Sequence, residues 1–124
     1  MTEKTSVPTE IKYHQKSRVL EIGYADEHYN LTAEFLRVHS PSAEVRGHGP
    51  GQEVLQIGKE DVGINRIEPV GNYAIRLYFD DGHDTGLYSW DELRRFCLEY
   101  DELWKGYLSR LEAAGHQRRE RGGS

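Results

Sequence analysis

A chain of 124 residues can bury one genuine core, but with 36% hydrophobic residues and a mean hydropathy of −0.78 it must do so sparingly. The net charge of −5 argues against a binder that neutralises nucleic-acid phosphates, and a single cysteine excludes an internal disulfide and any cysteine-rich zinc or iron–sulfur centre within one chain. No apolar run approaches the roughly 20 residues that span a bilayer, and the opening MTEKTSVPTE lacks an apolar signal-peptide core, so a cytoplasmic location is expected.

Residues 1–8 read as a polar, unpaired N-terminus, followed by one domain over 9–114. In SRVLEIGY, Leu20, Ile22 and Tyr24 share one face while Val19, Glu21 and Gly23 share the other, which is strand alternation. ADEHYN turns the chain back through His28 and Tyr29, giving an N-terminal hairpin. TAEFLRVHS fits either period, but its good helix formers favour a short helix with Leu31, Phe35 and Val38 on one face. A second helical turn is expected to start at Ser40, with Ser40 as cap, Pro41 in the first helical position and Gly47 as the stop. GHGPG forbids regular structure, and QEVLQIG offers one short edge strand.

The clearest β signal is INRIEPVGNYAIRLYFDDGHDTGLYS, a three-stranded antiparallel meander. Tyr73, Ile75, Leu77 and Phe79 alternate with Ala74, Arg76 and Tyr78, and Gly71-Asn72 and Asp81-Gly82 are hairpin-type dipeptides at the ends of that strand. Ser89 then opens a long amphipathic helix through a capping box with Glu92. Its apolar stripe runs Trp90, Leu93, Phe96, Cys97, Tyr100, Leu103, Trp104, Tyr107, Leu108 and Leu111, softened at Gly106 by about 1 kcal/mol relative to alanine. Residues 115–124 read as a flexible basic tail. The fold class that results is α+β: an antiparallel meander and an N-terminal hairpin packed with a long C-terminal helix and short helical turns.

Few groups in this chain invite chemistry. Cys97 sits on the apolar stripe, where a free cysteine is an inert small hydrophobe; a nucleophile would need a base and an exposed, electropositive setting. Asp80, Asp81, His83 and Asp84 could hold a metal or run acid–base chemistry, and they equally suit a tight turn. His39, His48 and His83 would make a three-histidine site if the fold gathered them, yet the spacing of the first two matches no compact metal motif. Ser40 and Ser42 lack a nucleophile elbow, and GHGPGQ lacks the lysine and the strand-to-helix context of a phosphate loop.

FLRVHSPSAEVRGHGPGQ and GNYAIRLYFDDGHDTGLYSWDELRRF together resemble the gamma-butyrobetaine hydroxylase-like N-terminal domain family, over roughly residues 9–112. Its stand-alone bacterial members have no assigned function. In the hydroxylases this domain precedes a catalytic domain that binds iron and 2-oxoglutarate, for which 124 residues leave no room, so the resemblance implies no dioxygenase activity here. The same comparison places the relatives' structural-zinc ligands, three cysteines and a histidine, on Ser40, Ser42, Val45 and His83; only the histidine survives, which implies loss of the zinc. Other relatives are fused to, or accompany, a P-loop carrier of iron–sulfur clusters.

These readings together give a non-enzymatic accessory domain without a cofactor, recognising a protein partner such as an iron–sulfur carrier or a metalloenzyme. The candidate contact residues are Arg37, His39, Ser40, Ser42, Arg46, His48, His83 and Asp84. For the two arginines, an internal salt bridge to Glu34 or Glu44 is the competing expectation. Two alternatives stay open: a metal-binding protein using His39, His48 and His83, with Asp84 as a further ligand, and an enzyme acting on an unknown small substrate.

Overall fold

The computed structural model describes residues 7–47, 49 and 51–118. Its first sheet is a meander of β1 (Glu10–His14), β2 (Val19–Gly23) and β3 (His28–Thr32), all antiparallel in the order β1-β2-β3. The expected hairpin is its second half. The additional strand, β1, pairs Tyr13 with Leu20 and Ile11 with Ile22. Leu20 and Ile22 are fully buried, as their alternation requires.

Helix α1 (Ala33–Val38) leaves β3 directly, capped by Thr32, whose hydroxyl accepts the Phe35 N–H at 3.0 Å. All six of its residues are buried, which explains why no single period marks it in the sequence. Helix α2 (Ala43–Arg46) follows, but its cap is Ser42, which accepts the Glu44 N–H at 3.1 Å. Ser40 is not the cap and Pro41 lies outside the helix, because the Ser40 hydroxyl is turned inward. Gly47 does end the turn: its φ is 73°, and a Cβ there would collide with the Gln52 carbonyl. Residues 52–57 form no strand, contrary to expectation. They are tied down singly, by Val54 N–H to the Val45 carbonyl (2.8 Å) and by the Tyr107 hydroxyl to the Gln56 carbonyl (2.7 Å).

The second sheet is the expected meander: β4 (Ile64–Val70), β5 (Ala74–Phe79) and β6 (Leu87–Ser89), in that order, with a bulge between Ile64 and Arg66. Ile75, Leu77 and Phe79 are buried, whereas Tyr73 falls in the Gly71–Tyr73 turn and is exposed. Asp81-Gly82 does not make a two-residue hairpin. The Phe79 N–H bonds to the His83 carbonyl at 3.0 Å, and residues 84–86 then run unpaired before β6 begins.

Helix α3 (Trp90–Ala113) starts at Ser89, which accepts the Glu92 N–H at 3.1 Å. Glu92 does not complete the reciprocal half of the capping box; its carboxylate goes to Arg46 and Arg95 instead. The helix breaks at Glu99 (φ −112°, ψ 17°) and not at Gly106. Leu93, Phe96, Cys97, Tyr107 and Leu111 are buried along it, while Leu108 lies off the stripe and is exposed. Both sheets, α1 and α3 contribute to one core, with Phe35 edge-on to Phe96 (5.3 Å) and stacked on Tyr100 (4.4 Å). Val38, Tyr107 and Leu111 form a smaller cluster beside it. Among the described residues, no helix is long and apolar enough to cross a membrane.

Candidate functional site

The C-terminus of α1, the start of α2 and the loop after β5 meet at Ser40. Its hydroxyl is 0% exposed and lies 2.9 Å from His83 Nε2 while accepting the Ser42 N–H at 3.2 Å. His83 Nδ1 is 2.9 Å from Glu44 Oε1. Thr85 donates to the same carboxylate oxygen at 3.1 Å, and the Ser42 and Thr85 hydroxyls are 2.7 Å apart.

With His83 neutral, these contacts are satisfied by one assignment of the protons. Because Ser42 Oγ accepts from Glu44 N and Thr85 gives its proton to Glu44, Ser42 must donate to Thr85. Because Glu44 accepts from His83 Nδ1, that nitrogen carries the proton and Ser40 donates to Nε2. Two hydroxyl-led chains thus end on one carboxylate, with no donor left over.

Charged side chains brace this network from outside. Asp81 Oδ2 accepts from Arg37 Nε (2.9 Å) and Lys59 Nζ (2.7 Å), and its Oδ1 accepts the His83 N–H at 3.1 Å. Burial alone would raise the Asp81 carboxyl; the bonds from Lys59, the His83 N–H and Arg37 outweigh it and hold the group down at about 2. Arg37 also reaches Gln56 at 2.9 Å. Burial, then the nearby Arg37 charge, lowers the His83 pKa against the opposing pull of Glu44 and Asp81, so the ring favours its neutral form.

The order serine–histidine–carboxylate is that of a nucleophile relay, but its exposure is inverted. A hydrolase needs an accessible serine and a buried acid. Here Ser40 is sealed under Gly86, where an added Cβ would collide with the hydroxyl, while the Glu44 side chain is 64% exposed. Nor does the site suit a structural zinc. Ser40 and Ser42 supply neutral hydroxyls, Val45 supplies no donor, and both His83 ring nitrogens are engaged within the network. The one group of described His, Cys, Asp or Glu side chains close enough to share an ion is Glu10, Glu21 and His28 on the first sheet, and it includes neither His39 nor His83.

Ser40, Ser42 and His83 therefore come together, and Arg37 braces them through Asp81. Both arginines make internal ion pairs, but not with the partners expected. Arg37 takes Asp81, Arg46 takes Glu92 at 3.1 Å, Glu34 is claimed by Arg118, and Glu44 by His83. Asp84 is exposed beside the network, and His48 lies outside the described residues. His39 faces a different space. It bonds through Nδ1 to the Phe35 carbonyl (2.9 Å), packs at a tilt on the Phe35 ring (4.4 Å), and lines a cleft of about 780 Å³ bounded by residues 45–47 and 53–56 on one side and α3 on the other. Arg46 lines the same cleft, as do Arg95 and Arg110.

Sequence reasoning missed Thr85 and Gly86, and gave Glu44 only the role of an arginine partner. The sole sequence signal for them was proximity to His83.

Residues 11–94 match the family described as gamma-butyrobetaine hydroxylase-like, N-terminal. The chain belongs to this family. Two proteins solved by NMR in solution resemble it closely: one is 47% identical, with 98% of each chain covered and a TM-score of 0.83. The other is 48% identical over all of this chain and 95% of its own, with a TM-score of 0.79. A crystal structure of a protein of unknown function of the DUF971 family, from Acidithiobacillus ferrooxidans, is 39% identical over 76% of this chain and 96% of its own, with a TM-score of 0.62. No curated protein matches the chain.

Proposed function

We propose that this gamma-butyrobetaine hydroxylase-like domain is a non-catalytic accessory module that recognises a protein partner in the maintenance of iron–sulfur clusters or other metalloproteins. The observation that carries this reading is the closure of the Ser40–His83–Glu44 network. The groups able to do chemistry satisfy one another, and the hydroxyl that would have to react is sealed. What faces solvent around it is suited to recognition: the half-exposed Arg46, the carboxylates of Glu44 and Asp84, and the exposed apolar side chains of Val54 and Ile57. The metalloprotein setting rests on the resemblance to relatives that accompany iron–sulfur carriers.

Affinity capture from native lysate with wild type and Arg46→Glu tests it. Arg46 is bonded to Glu92, and reversing its charge alters the surface without touching the core. The expected result is a metalloprotein or cluster carrier retained by wild type and depleted at least tenfold by the variant. An identical set of captured proteins for both, or none above background, overturns the reading.

A further inference from the structure

The cleft beside His39 has features the closed network lacks. It is of a size that holds a small ligand or a few peptide side chains, and its wall mixes apolar surface with a few placed charges. Val54 and Leu55 stand on one side; Tyr107 belongs to α3 on the other, and Leu55 packs against the Val38–Tyr107–Leu111 cluster. Gly106 opens onto the space from α3: among the described residues, nothing beyond its chain neighbours and the helix's own backbone lies within 4 Å of the position a Cβ would take. A glycine inside a helix is unfavourable, and here it leaves room.

Charge in the cleft is not uniform. Arg46 and Arg95 share the Glu92 carboxylate, and Arg95 also reaches Glu99 at 3.4 Å. Among the described residues no salt bridge involves Arg110, and the carboxylates of Glu53 and Glu102 also line the space. Around His39, however, the sign is clear. Burial keeps the ring neutral, and the side-chain charges acting on it are those of Arg110 and Arg95, both opposing its protonation. Arg95 is neutralised by Glu92 and Glu99, so Arg110, which shares the cleft wall with His39, is the cation left to meet an anion beside the apolar walls.

We propose that this cleft is where the partner docks and that it takes an acidic–apolar peptide segment, with a carboxylate on Arg110 beside His39 and the neighbouring apolar side chain against Val54, Leu55 and Tyr107. Arg110 supplies charge-assisted hydrogen bonds, and the apolar neighbour supplies burial. This rests on the partner-binding reading above and assigns the surface and the chemistry of what it binds.

The test uses the full chain and fluorescein-labelled peptide pools in an acidic–apolar–acidic pattern, read by anisotropy. Pools with lysine replacing the acidic residues, and pools with alanine replacing the apolar anchor, serve as controls. Wild type should bind the acidic–apolar pool at least tenfold more tightly than either control. Arg110→Glu should lose at least tenfold. Gly106→Leu should lose as much by filling the cleft, while Gly106→Ala, which keeps the space largely open, should bind nearly as wild type. All variants are checked for an unchanged far-UV spectrum. In the complex, the His39 ring should titrate at a higher pH than in the free protein, a change that a remote site would not produce. Undiminished binding by Gly106→Leu overturns the cleft assignment, and equal binding of the lysine pool overturns the charge assignment. Isovalerate competing as well as the peptide makes the occupant a small carboxylate and overturns the peptide. If no pool binds but a captured metalloprotein is retained by Gly106→Leu, this inference fails while the partner-binding function stands.

Discussion

Removing one oxygen atom, in Ser40→Ala, separates a structural network from a reactive one. Ser40 is fully buried and the His83 side chain is only 3% exposed, so water cannot replace the lost hydroxyl without rearrangement. Two groups lose their partners: His83 Nε2, bonded at 2.9 Å, and the Ser42 N–H, bonded at 3.2 Å. Leaving a buried polar group unsatisfied costs about 1–3 kcal/mol. The Ser42 bond is the longer and belongs at the lower end, which gives a total of about 3 kcal/mol. At about 4 °C per kcal/mol for a domain of this size, the melting temperature should fall by about 12 °C.

The neighbouring substitutions set the scale. Glu44→Ala removes a mostly exposed acceptor whose place water can take, and should cost less than about 1 kcal/mol. A Ser40→Ala/His83→Ala double-mutant cycle should show a coupling of about 1–2 kcal/mol. Urea titration followed by tryptophan fluorescence at neutral pH measures all three. If Ser40→Ala fell within about 0.5 kcal/mol of wild type while Glu44→Ala was the more damaging, the network would not be holding the fold, and the reasoning above would be wrong.

Acid should weaken the protein in two stages. His39 and His83 are held below their ordinary 6.5 by burial, so the unfolded chain binds protons that the native rings refuse. Their contribution is complete above about pH 6.5 and is lost as the pH falls through that value toward the folded pKa; Asp81, held at about 2 against an ordinary 3.8, contributes above 3.8 and is lost on approach to 2. Urea midpoints at stepped pH should show both stages, and His83→Gln should flatten the first. Arg118→Ala should cost about 2–3 kcal/mol in thermal unfolding, because it abandons a Glu34 carboxylate that is 6% exposed and doubly bonded at 2.7 and 2.5 Å; Glu34→Gln should recover part of that loss. Gly86→Ala should cost about 1–3 kcal/mol by overpacking against Ser40, and less than additively when combined with Ser40→Ala. Zinc should leave the wild-type melting temperature unchanged but raise that of Ser40→Cys/Ser42→Cys/Val45→Cys, which rebuilds with His83 the ligand set that the family resemblance implies.

What could be read from the sequence was whatever a short window determines. The alternation of Ile75, Leu77 and Phe79 located β5, and Ser89 marked the start of α3 by its own hydroxyl. Strand β1 carried a usable signal in Ile11 and Tyr13, but these are only half-buried, and the exposed Glu10, Lys12 and His14 that alternate with them weaken the apolar pattern. The expectation of Ser40 as helix cap went wrong because nothing local distinguishes it from Ser42, which satisfies the same capping rule. A histidine 43 residues away makes the choice, by drawing Ser40 inward. The same limit hid the Arg118–Glu34 pair, which spans 84 residues. It also misdirected residues 52–57: their composition suits a strand, but among the described residues no strand pairs with them.

Hydroxyls at Ser40 and Ser42, where the family resemblance implies thiolates in zinc-bearing relatives, also change what the site responds to. Coordinate bonds from thiolates to zinc would hold the 40–47 turn until metal was removed or the thiols oxidised. Hydrogen bonds from Ser40 to a neutral His83, and from His83 to Glu44, are indifferent to both, but the first of them needs an unprotonated Nε2. Once His83 takes up a proton, Nε2 becomes a donor and Ser40 must turn its own proton away. Ser40 then accepts from both Nε2 and the Ser42 N–H, which its two lone pairs allow, and its own proton loses the acceptor it had in His83. Arg46 and Val54 hang from this same turn, Arg46 as its last helical residue and Val54 through its bond to Val45. The surface they form therefore rests on a turn whose inner hydrogen bonds can rearrange around Ser40 without loss of the Ser42 contact.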